Sequence, residues 1–284
     1  MKQNKFFAVV ILYNTNILDS VTCENLKKIS KHDISVIIAD NSTISIANDI
    51  ECEKFGWQYI SMNGNVGLSK AYNEVLNNIK EKDGFVIWFD DDTNITQEYF
   101  DELDKLIELN PKIDIFAPII YGQDNKIYSP NEARFFKNKQ LKNPNKSINL
   151  KKFNAINSCT AVNLKIYDEY RYDERIFLDQ VDHKFFEDQR DKKRNFYKMN
   201  TIIHHNFSLK SKKNTPQECW KRYEIMIPDY LTFCSKTKMR TGLGIIKVMG
   251  WGVRESINYK NPIFLFWCLK KSIKSIYNIK GRNF

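Results

Sequence analysis

The sequence has few of the residues that mark metal-cysteine sites or membrane spans. Its six cysteines form no C-x-x-C pair and have no histidine at zinc-site spacing, so they indicate reduced thiols in a cytoplasmic protein. No apolar run approaches the roughly 20 residues that cross a bilayer. The apolar start of the chain leads into Tyr13 and Asn14 without a cleavage site of small residues. We therefore expect a first buried strand there and not a signal peptide.

Glycine is also scarce, with 10 residues in 284. The chain has neither the G-x-G-x-x-G pattern of dinucleotide-binding dehydrogenases nor the P-loop pattern of NTPases. Both patterns surround a phosphate with backbone N–H groups, so their absence argues against these two classes. The residues after the first predicted strand read Y-N-T-N, where a sugar nucleotidyltransferase normally has a Gly-rich loop.

Acidic residues are almost missing from the C-terminal segment 236–284. The chain has 44 Lys and Arg residues and 34 acids, and this segment contains eleven of the former but only one acid, Glu255. Residues 1–235 are therefore neutral, and the formal excess of +10 lies in the segment. This asymmetry predicts an appended surface for an anionic partner.

Short apolar runs alternate with amphipathic patterns along the first 120 residues. A fully apolar run is typical of a strand buried on both faces of a parallel sheet. Between 67 and 80, apolar residues recur at the spacing of one helix face. The alternation predicts a Rossmann-like α/β fold with a mostly parallel central sheet and flanking helices. The predicted strands are 6–13, 34–40, 57–61, 85–89 and 114–120.

Three consecutive aspartates, Asp90, Asp91 and Asp92, follow the apolar run 85–89 directly. Ligands of open α/β sheets bind beyond the carboxyl ends of such strands. Three carboxylates this close repel one another unless a cation or hydrogen bonds compensate them. Hard oxygen ligands suit Mg²⁺ or Mn²⁺, so the sequence predicts a divalent metal site here.

Polar residues also follow the first two predicted strands. Tyr13, with Asn14 beside it, could stack on a base. Asp40, followed by Asn41, could accept a hydrogen bond from a base or a ribose. The alternative is simple turn chemistry, which Asp-Asn-Ser favours.

The segment 63–73 places an Asn/Gly turn before a helix. Asn65 and Gly67 precede the helix, whose free N–H groups suit a diphosphate. Lys70 adds a cation and Asn73 an amide. The alternative is an ordinary turn and helix start.

Taken in order, these segments resemble the family 2 glycosyltransferases, inverting enzymes of the GT-A fold. The series is V-I-L-Y-N, A-D-N-S, N-x-G-x-x-x-A-x-N at 65–73, and F-D-D-D-T. The rhamnosyltransferase-like subset is the most similar. The resemblance implies that Asp90 and Asp92 form a D-x-D motif with Asp91 in its variable middle. It implies that the donor-binding residues are Tyr13, Asn14, Asp40, Asn41, Asn65, Gly67, Lys70, Asn73, Asp90 and Asp91, and that the metal ligands are Asp92, Asp90 and His205.

The resemblance continues into the second half of the chain. Segment 172–189 is similar to the family pattern whose aspartate general base matches Asp182, although Lys184 stands where an acid is more usual. A general base here would take the proton of an acceptor hydroxyl. The alternative for this segment is a solvated charged helix. Of the pair His204 and His205, an H-x-x-G/S pattern favours His205, and Cys159 occupies a position where the family often has glycine.

The domain organisation expected is a GT-A domain at 1–215 and a helical, basic, aromatic extension at 216–284. The first domain would divide into a nucleotide-binding half, about 1–120, and an acceptor half, about 121–215. Aromatics beside lysines in the extension predict docking on an anionic membrane surface at the inner face of the cell membrane. The alternatives are a helical cap on the body, a homodimer contact, or a single-stranded nucleic-acid surface, for which no motif is present.

The function that the resemblance implies is metal-dependent hexosyl transfer with inversion. The donor would be a UDP- or dTDP-linked sugar, with Mg²⁺ or Mn²⁺ as cofactor. The acceptor would be a hydroxyl of a glycan, carried on a polyprenyl diphosphate, in bacterial capsule or O-antigen synthesis. A sugar nucleotidyltransferase and a catalytically degenerate, membrane-docked scaffold remain as alternatives.

Overall fold

The computed structural model describes residues 4–205 and 215–281, apart from the side chains of residues 280 and 281. The described residues form two compact units. The first comprises 4–66, 70–172 and 185–205, and the second comprises 67–69, 173–184 and 215–281. The helices that begin at Leu68 and Val181 each contribute residues to both units.

The first unit is built on one central sheet, with strand order β11-β5-β10-β4-β1-β2-β3 and β6 paired to β5. The strands are β1 Lys5–Leu12, β2 Asp33–Asp40, β3 Gln58–Ser61, β4 Phe85–Phe89, β5 Ile115–Gly122, β6 Ile127–Ser129, β10 Ala161–Asn163 and β11 Phe196–His205. A small second sheet contains β7 Asn131–Glu132, β8 Lys139–Gln140 and β9 Phe153–Asn154. The helices are α1 Val21–Leu26, α2 Asn48–Phe55, α3 Leu68–Asn78, α4 Gln97–Leu109 and α5 Val181–Asp191.

The central strands form where the sequence is continuously apolar. All five residues of β4 are buried, as are all but the first of β1. Side chains on the core face of these strands, such as Phe6 and Ile87, pack with Phe100 of α4. Burial on both faces explains why the runs lack the alternation of a half-exposed strand. The α/β fold with a mainly parallel sheet, predicted from the sequence, is confirmed.

The register of the sheet brings several strand ends to one edge. Leu12 of β1 pairs with Asp40 of β2, and Asp40 pairs with Ser61 of β3. β4 is parallel to β1. β10 is antiparallel to both β4 and β5, and β11 is parallel to β5. The carboxyl ends of all these parallel strands therefore lie at the same edge, where the ligand site of an open α/β sheet is expected.

The polar and basic composition of segment 137–152 favours a mobile loop. In the structure, part of it joins the small sheet: Glu132 of β7 pairs with Lys139 of β8, and their side chains form an ion pair of 3.0 Å. The polar composition of the segment does not indicate this pairing of backbone groups between β7 and β8.

The second unit is dominated by three helices, α6 Pro216–Cys234, α7 Lys238–Asn258 and α8 Ile263–Gly281. α6 begins with a capping box, in which Thr215 and Glu218 each accept from the other's backbone N–H. Small residues let the helices approach closely, since a Cβ at Gly252 of α7 would lie 3.1 Å from the Cα of Leu265 in α8. Among the described residues, we find no helix whose length and apolar character would allow it to cross a membrane.

Candidate functional site

Two aspartates and a histidine meet at the carboxyl edge of the central sheet. Asp90 and Asp92 follow β4, and His205 is the last residue of β11. The Nε2 atom of His205 lies 3.6 Å from Oδ2 of Asp90 and 3.8 Å from Oδ1 of Asp92. One candidate ligand atom from each residue falls within 4.8 Å of the others. The three residues predicted as metal ligands are thus brought together by the fold.

The electrostatics of this cluster suit a cation. Burial raises the pKa of the Asp90 carboxyl, the nearby Asp92 and Asp91 raise it further, and His205 opposes the shift. Burial also raises the pKa of Asp92. Clustered carboxylates that resist ionisation are stabilised by a bound divalent ion. Carboxylate oxygens and an imidazole nitrogen are ligands that Mn²⁺ accepts, so the residues present fit such a metal.

The middle aspartate of the triplet makes a different set of contacts. The Oδ2 atom of Asp91 accepts a hydrogen bond of 2.7 Å from the Thr15 hydroxyl. Its backbone carbonyl accepts from the Ser20 hydroxyl at 2.7 Å and from Thr22 N–H at 3.2 Å. These contacts tie the loop after β4 to the loop after β1. A direct contact of Asp91 with a donor remains a prediction.

A cleft of about 640 Å³ lies beside the ends of β2 and β3. Asp40 lines it, and its carboxylate is held by its neighbours: Oδ2 accepts from Asn48 at 2.9 Å and from the Tyr59 hydroxyl at 3.1 Å, and Oδ1 accepts from Ser42 N–H at 3.0 Å. Burial raises the pKa of Tyr59 to about 12, which keeps it a neutral donor. The rest of the lining is mainly polar and small: Thr43, Ile44, Ser45, Ile46, Ala47, Asp49, Ile50, Ser61, Asn63 and Gly64.

Tyr13 and Asn14 stand at the end of β1. The Tyr13 side chain is 51% exposed, so its ring is available for stacking. Asn14 has a left-handed backbone (φ 53°), which asparagine tolerates. Its N–H donates to the Ser42 hydroxyl at 2.8 Å, and its Oδ1 accepts from Thr43 N–H at 2.8 Å. Asn14 therefore joins the loops after β1 and β2.

Asn41, Asn65 and Asn73 all take part in hydrogen bonds within the first unit. The Asn41 amide donates to Oδ1 of Asn65 at 3.0 Å and accepts from Val66 N–H at 2.8 Å. The amide of Asn73 makes a reciprocal pair with the backbone of Tyr172, at 2.9 Å in both directions. Asn41 and Asn73 are buried, whereas Asn65 and Lys70 are exposed. Asn73 therefore has a structural role in the fold, and its contact with a donor remains a prediction.

Cys159 also lies near the cluster in the fold. It has a left-handed backbone (φ 60°), and its N–H donates to the carbonyl of Trp88 in β4 at 2.8 Å. Glycine adopts this conformation without steric cost, which accounts for the glycine expected here from the family resemblance. Burial raises the pKa of the Cys159 thiol, so the sulfur is a packing group.

In the second unit, Gly67 lies against Phe177. Gly67 has φ +84°, and a Cβ there would lie 2.6 Å from both the ring and the carbonyl oxygen of Phe177. The next residue, Leu68, donates its N–H to the same carbonyl at 2.6 Å. Glycine is needed here for both conformation and space. Donor binding by Gly67 remains a prediction.

The sequence matches the model of Glycosyl transferase family 2 over residues 8–171, more than half of the chain. The chain belongs to this family. The matched region includes Asp40 and the triplet Asp90 to Asp92, whereas Asp182 and His205 lie beyond it. No curated protein matches the chain at a significant level.

Solved structures of other glycosyltransferases share the fold. A crystal structure of GalNAc-T7 with UDP, GalNAc and Mn²⁺ has a TM-score of 0.60 at 10% identity, with 82% of this chain and 48% of that chain covered. The crystal structure of S. aureus TarS 1-349 in complex with UDP has a TM-score of 0.54 at 13% identity, with 98% of this chain and 90% of that chain covered. The structure of TarS 1-349 in complex with UDP-GlcNAc has a TM-score of 0.53 at 13% identity, with 86% of this chain and 70% of that chain covered. This chain thus spans about half the length of GalNAc-T7. The GT-A fold is confirmed, and the rhamnosyltransferase-like subset remains a prediction.

Asp182 lies in the first turn of α5, within the second unit. Its Oδ1 accepts a hydrogen bond of 2.7 Å from His183 N–H, and the residue is partly exposed. The loop just before it, residues 177–179, has an unusual partner in α6. Asp229, which is only 2% exposed, accepts from the backbone N–H groups of Phe177, Leu178 and Asp179 at 2.7–2.8 Å.

Asp229 is not among the residues predicted from the sequence. A single aspartate within a helical pattern carries no local signal, and its partners lie 50 to 52 residues away in the chain. The Arg222 guanidinium, also from α6, pairs with the Asp179 side chain in the same loop. Asp229 and Arg222 therefore hold the segment that leads into Asp182.

Substitution Asp92→Asn should have opposite effects on stability with and without metal. Without metal, it removes one of several repelling carboxylates and should raise the melting temperature. With Mn²⁺ at about 100 times its Kd, the wild type should gain about 2.7 kcal/mol, and the variant much less. Thermal unfolding measures both effects. Asp91→Asn is the matched control, because that carboxylate bonds Thr15. Equal Mn²⁺ shifts in the wild type and Asp92→Asn would contradict the metal site.

Substitution Asp229→Asn should weaken the loop before Asp182. An amide oxygen cannot replace a carboxylate as acceptor for three N–H groups, and a hydrogen bond to a charged group contributes roughly 1.5–3 kcal/mol. We expect the free energy of unfolding in urea to fall by about 3 kcal/mol, and kcat to fall more than donor affinity. Lys221→Gln, at an exposed position of the same helix, should change neither the free energy of unfolding nor kcat by much. Unchanged stability of Asp229→Asn would refute this role.

Proposed function

We propose that this chain is a metal-dependent, inverting glycosyltransferase that moves a sugar from a nucleotide-sugar to a hydroxyl of a glycan. The observation that carries the proposal is the cluster of Asp90, Asp92 and His205 at the carboxyl edge of the sheet. It lies in the same unit as the cleft lined by Asp40. A cation site and a polar cleft at one sheet edge suit the diphosphate and the nucleoside of one donor.

Asp90, Asp92 and His205 would hold Mn²⁺ or Mg²⁺. A cation bound there supplies positive charge for the diphosphate leaving group. Tyr13 would stack on the base, while Asp40 would accept a hydrogen bond from the base or the ribose. Lys70 and Asn65 are the proposed diphosphate contacts.

Asp182 is the proposed general base. The acceptor hydroxyl loses its proton to the Asp182 carboxylate as its oxygen forms a bond to the anomeric carbon of the donor. The bond from that carbon to the diphosphate breaks, and the nucleoside diphosphate leaves with the bonding electrons. Attack opposite the leaving group inverts the anomeric carbon.

The substrates belong to the same proposal. UDP-sugars are the first donors to test, because GalNAc-T7 and TarS were crystallised with UDP or a UDP-sugar. A dTDP-linked donor follows from the resemblance to rhamnosyltransferase-like proteins. The proposed acceptor is a glycan on a polyprenyl diphosphate, in bacterial surface polysaccharide synthesis. A homodimer and a peripheral position at the inner membrane face are further parts of this proposal.

Substitution Asp182→Asn should abolish transfer while leaving donor affinity within about twofold, because an amide cannot take the acceptor proton. A fall in kcat of at least 10²-fold is expected for loss of a general base. The measurements are product formation and donor binding by calorimetry. Asp191→Asn, an exposed aspartate of the same helix, is the control and should keep full activity. A fully active Asp182→Asn protein would reject the assignment.

A thermal-shift panel of nucleotide-sugars, with and without Mn²⁺, should identify the donor. Ligand binding raises apparent stability by mass action, by about 2.7 kcal/mol at 100 times Kd. One UDP- or dTDP-sugar should give the largest shift, and only with Mn²⁺. Slow hydrolysis of that donor should accompany binding. A chain that shifts with no donor and hydrolyses none would be a scaffold and not a transferase.

A further inference from the structure

The last helix buries two serines and leaves three large apolar side chains exposed. An amphipathic helix in water normally buries its apolar stripe. In α8, Ser272 and Ser275 are buried, whereas Phe266, Ile273 and Tyr277 are 62–78% exposed. The two serine hydroxyls donate to the carbonyls of Cys268 and Lys271, four residues earlier, so they are satisfied within the helix. The packing of the unit therefore accommodates the serines beside Phe264 and Cys268, and it leaves the other three large apolar side chains in water.

The three exposed apolar side chains lie on one face of the helix. Positions 266, 273 and 277 are separated by seven and four residues, which places them on the same side of a helix. Lys270 and Lys274 are also exposed and stand on this side. We call these five residues the outer face of α8. The tail aromatics Phe264 and Trp251 take no part, since they pack on Trp220 and Tyr230 at ring distances of 4.8 and 5.1 Å.

The exposed charges of α7 and α8 are of one sign. The only acid in segment 236–284 is Glu255, which is 7% exposed. Its carboxylate accepts from the Tyr223 hydroxyl, the Arg254 guanidinium and the Asn258 amide. Its negative charge is thus compensated inside the unit. The exposed charges that α7 and α8 present are consequently all positive.

Exposed apolar side chains beside positive charges indicate which kind of partner the outer face of α8 binds. A symmetric dimer through the outer face would bring two cationic patches together, and like charges repel. An anionic lipid surface attracts the lysines and also accepts apolar side chains between its headgroups. We propose that the outer face of α8 binds an anionic bilayer surface. Phe266, Ile273 and Tyr277 enter the headgroup region, and Lys270 and Lys274 contact the lipid phosphates.

Co-sedimentation with vesicles tests this proposal. The full chain should bind vesicles of equal parts phosphatidylglycerol and phosphatidylcholine, and not vesicles of phosphatidylcholine alone. The triple variant Phe266→Ser, Ile273→Ser, Tyr277→Ser should lose binding. The pair Lys270→Gln, Lys274→Gln should reduce the partition coefficient by about 25-fold, at roughly fivefold for each lysine near an anionic surface. High salt should weaken the binding of the wild type.

Leu109→Ser is the matched control, because Leu109 is 66% exposed on α4 in the first unit. It should bind vesicles as the wild type does. Circular dichroism checks the fold of each variant, and the lysine pair keeps the test valid if the triple variant fails to fold. Binding requires neither donor nor metal, so its result is independent of the proposed transfer activity.

Three results would overturn the proposal. The first is equal binding to phosphatidylcholine alone. The second is unchanged binding by both the triple variant and the lysine pair. The third is a wild-type dimer in sedimentation that ignores vesicles and becomes monomeric in the triple variant, which would make the outer face a contact between two copies.

Discussion

The shared register of the central strands is the constraint on which the candidate site depends. Asp90, Asp92 and His205 come from strand ends that are more than 110 residues apart in the sequence. They meet because β4, β5 and β11 run in the same direction and end at one edge. The buried apolar side chains of these strands specify that register, since a slip of one residue would turn each of them to the opposite face of the sheet and disrupt its packing. The favourable packing of the sheet thus offsets the electrostatic repulsion between the clustered carboxylates.

Hydrogen-bonded side chains hold the loops of that edge in place. Asn14 joins the loops after β1 and β2, and Asp91 joins the loops after β1 and β4. Preorganised groups interact more favourably with a charged ligand because they need not reorganise when it binds. In the second unit, Asp229 does the same for the loop before Asp182. These residues act through positioning, since they hold the loops that carry the proposed substrate contacts.

Much of the fold could be predicted from the sequence, because periodicity and apolar runs are local properties. The buried strand 85–89 and the helix within 67–80 are of this kind. The order of strand-end motifs led to Asp90 and Asp92, while His205 came from the family resemblance. Asp229 could not be predicted, since its partners are distant in sequence. The structural bonds of Asn73 with Tyr172 were missed for the same reason.

By itself, the sequence determined the α/β class, the family and the one-signed charge of segment 236–284, since these depend on composition and on the order of local patterns. Only the tertiary structure decided which side chains meet and which remain in water. It paired Asp91 with Thr15, apart from the metal cluster, and it buried Ser272 while leaving Phe266 exposed. The physical reason is that burial and contact depend on how elements pack, and a helix can satisfy a serine through its own backbone. The pattern of residues along α8 could not show which side of the helix would face the solvent.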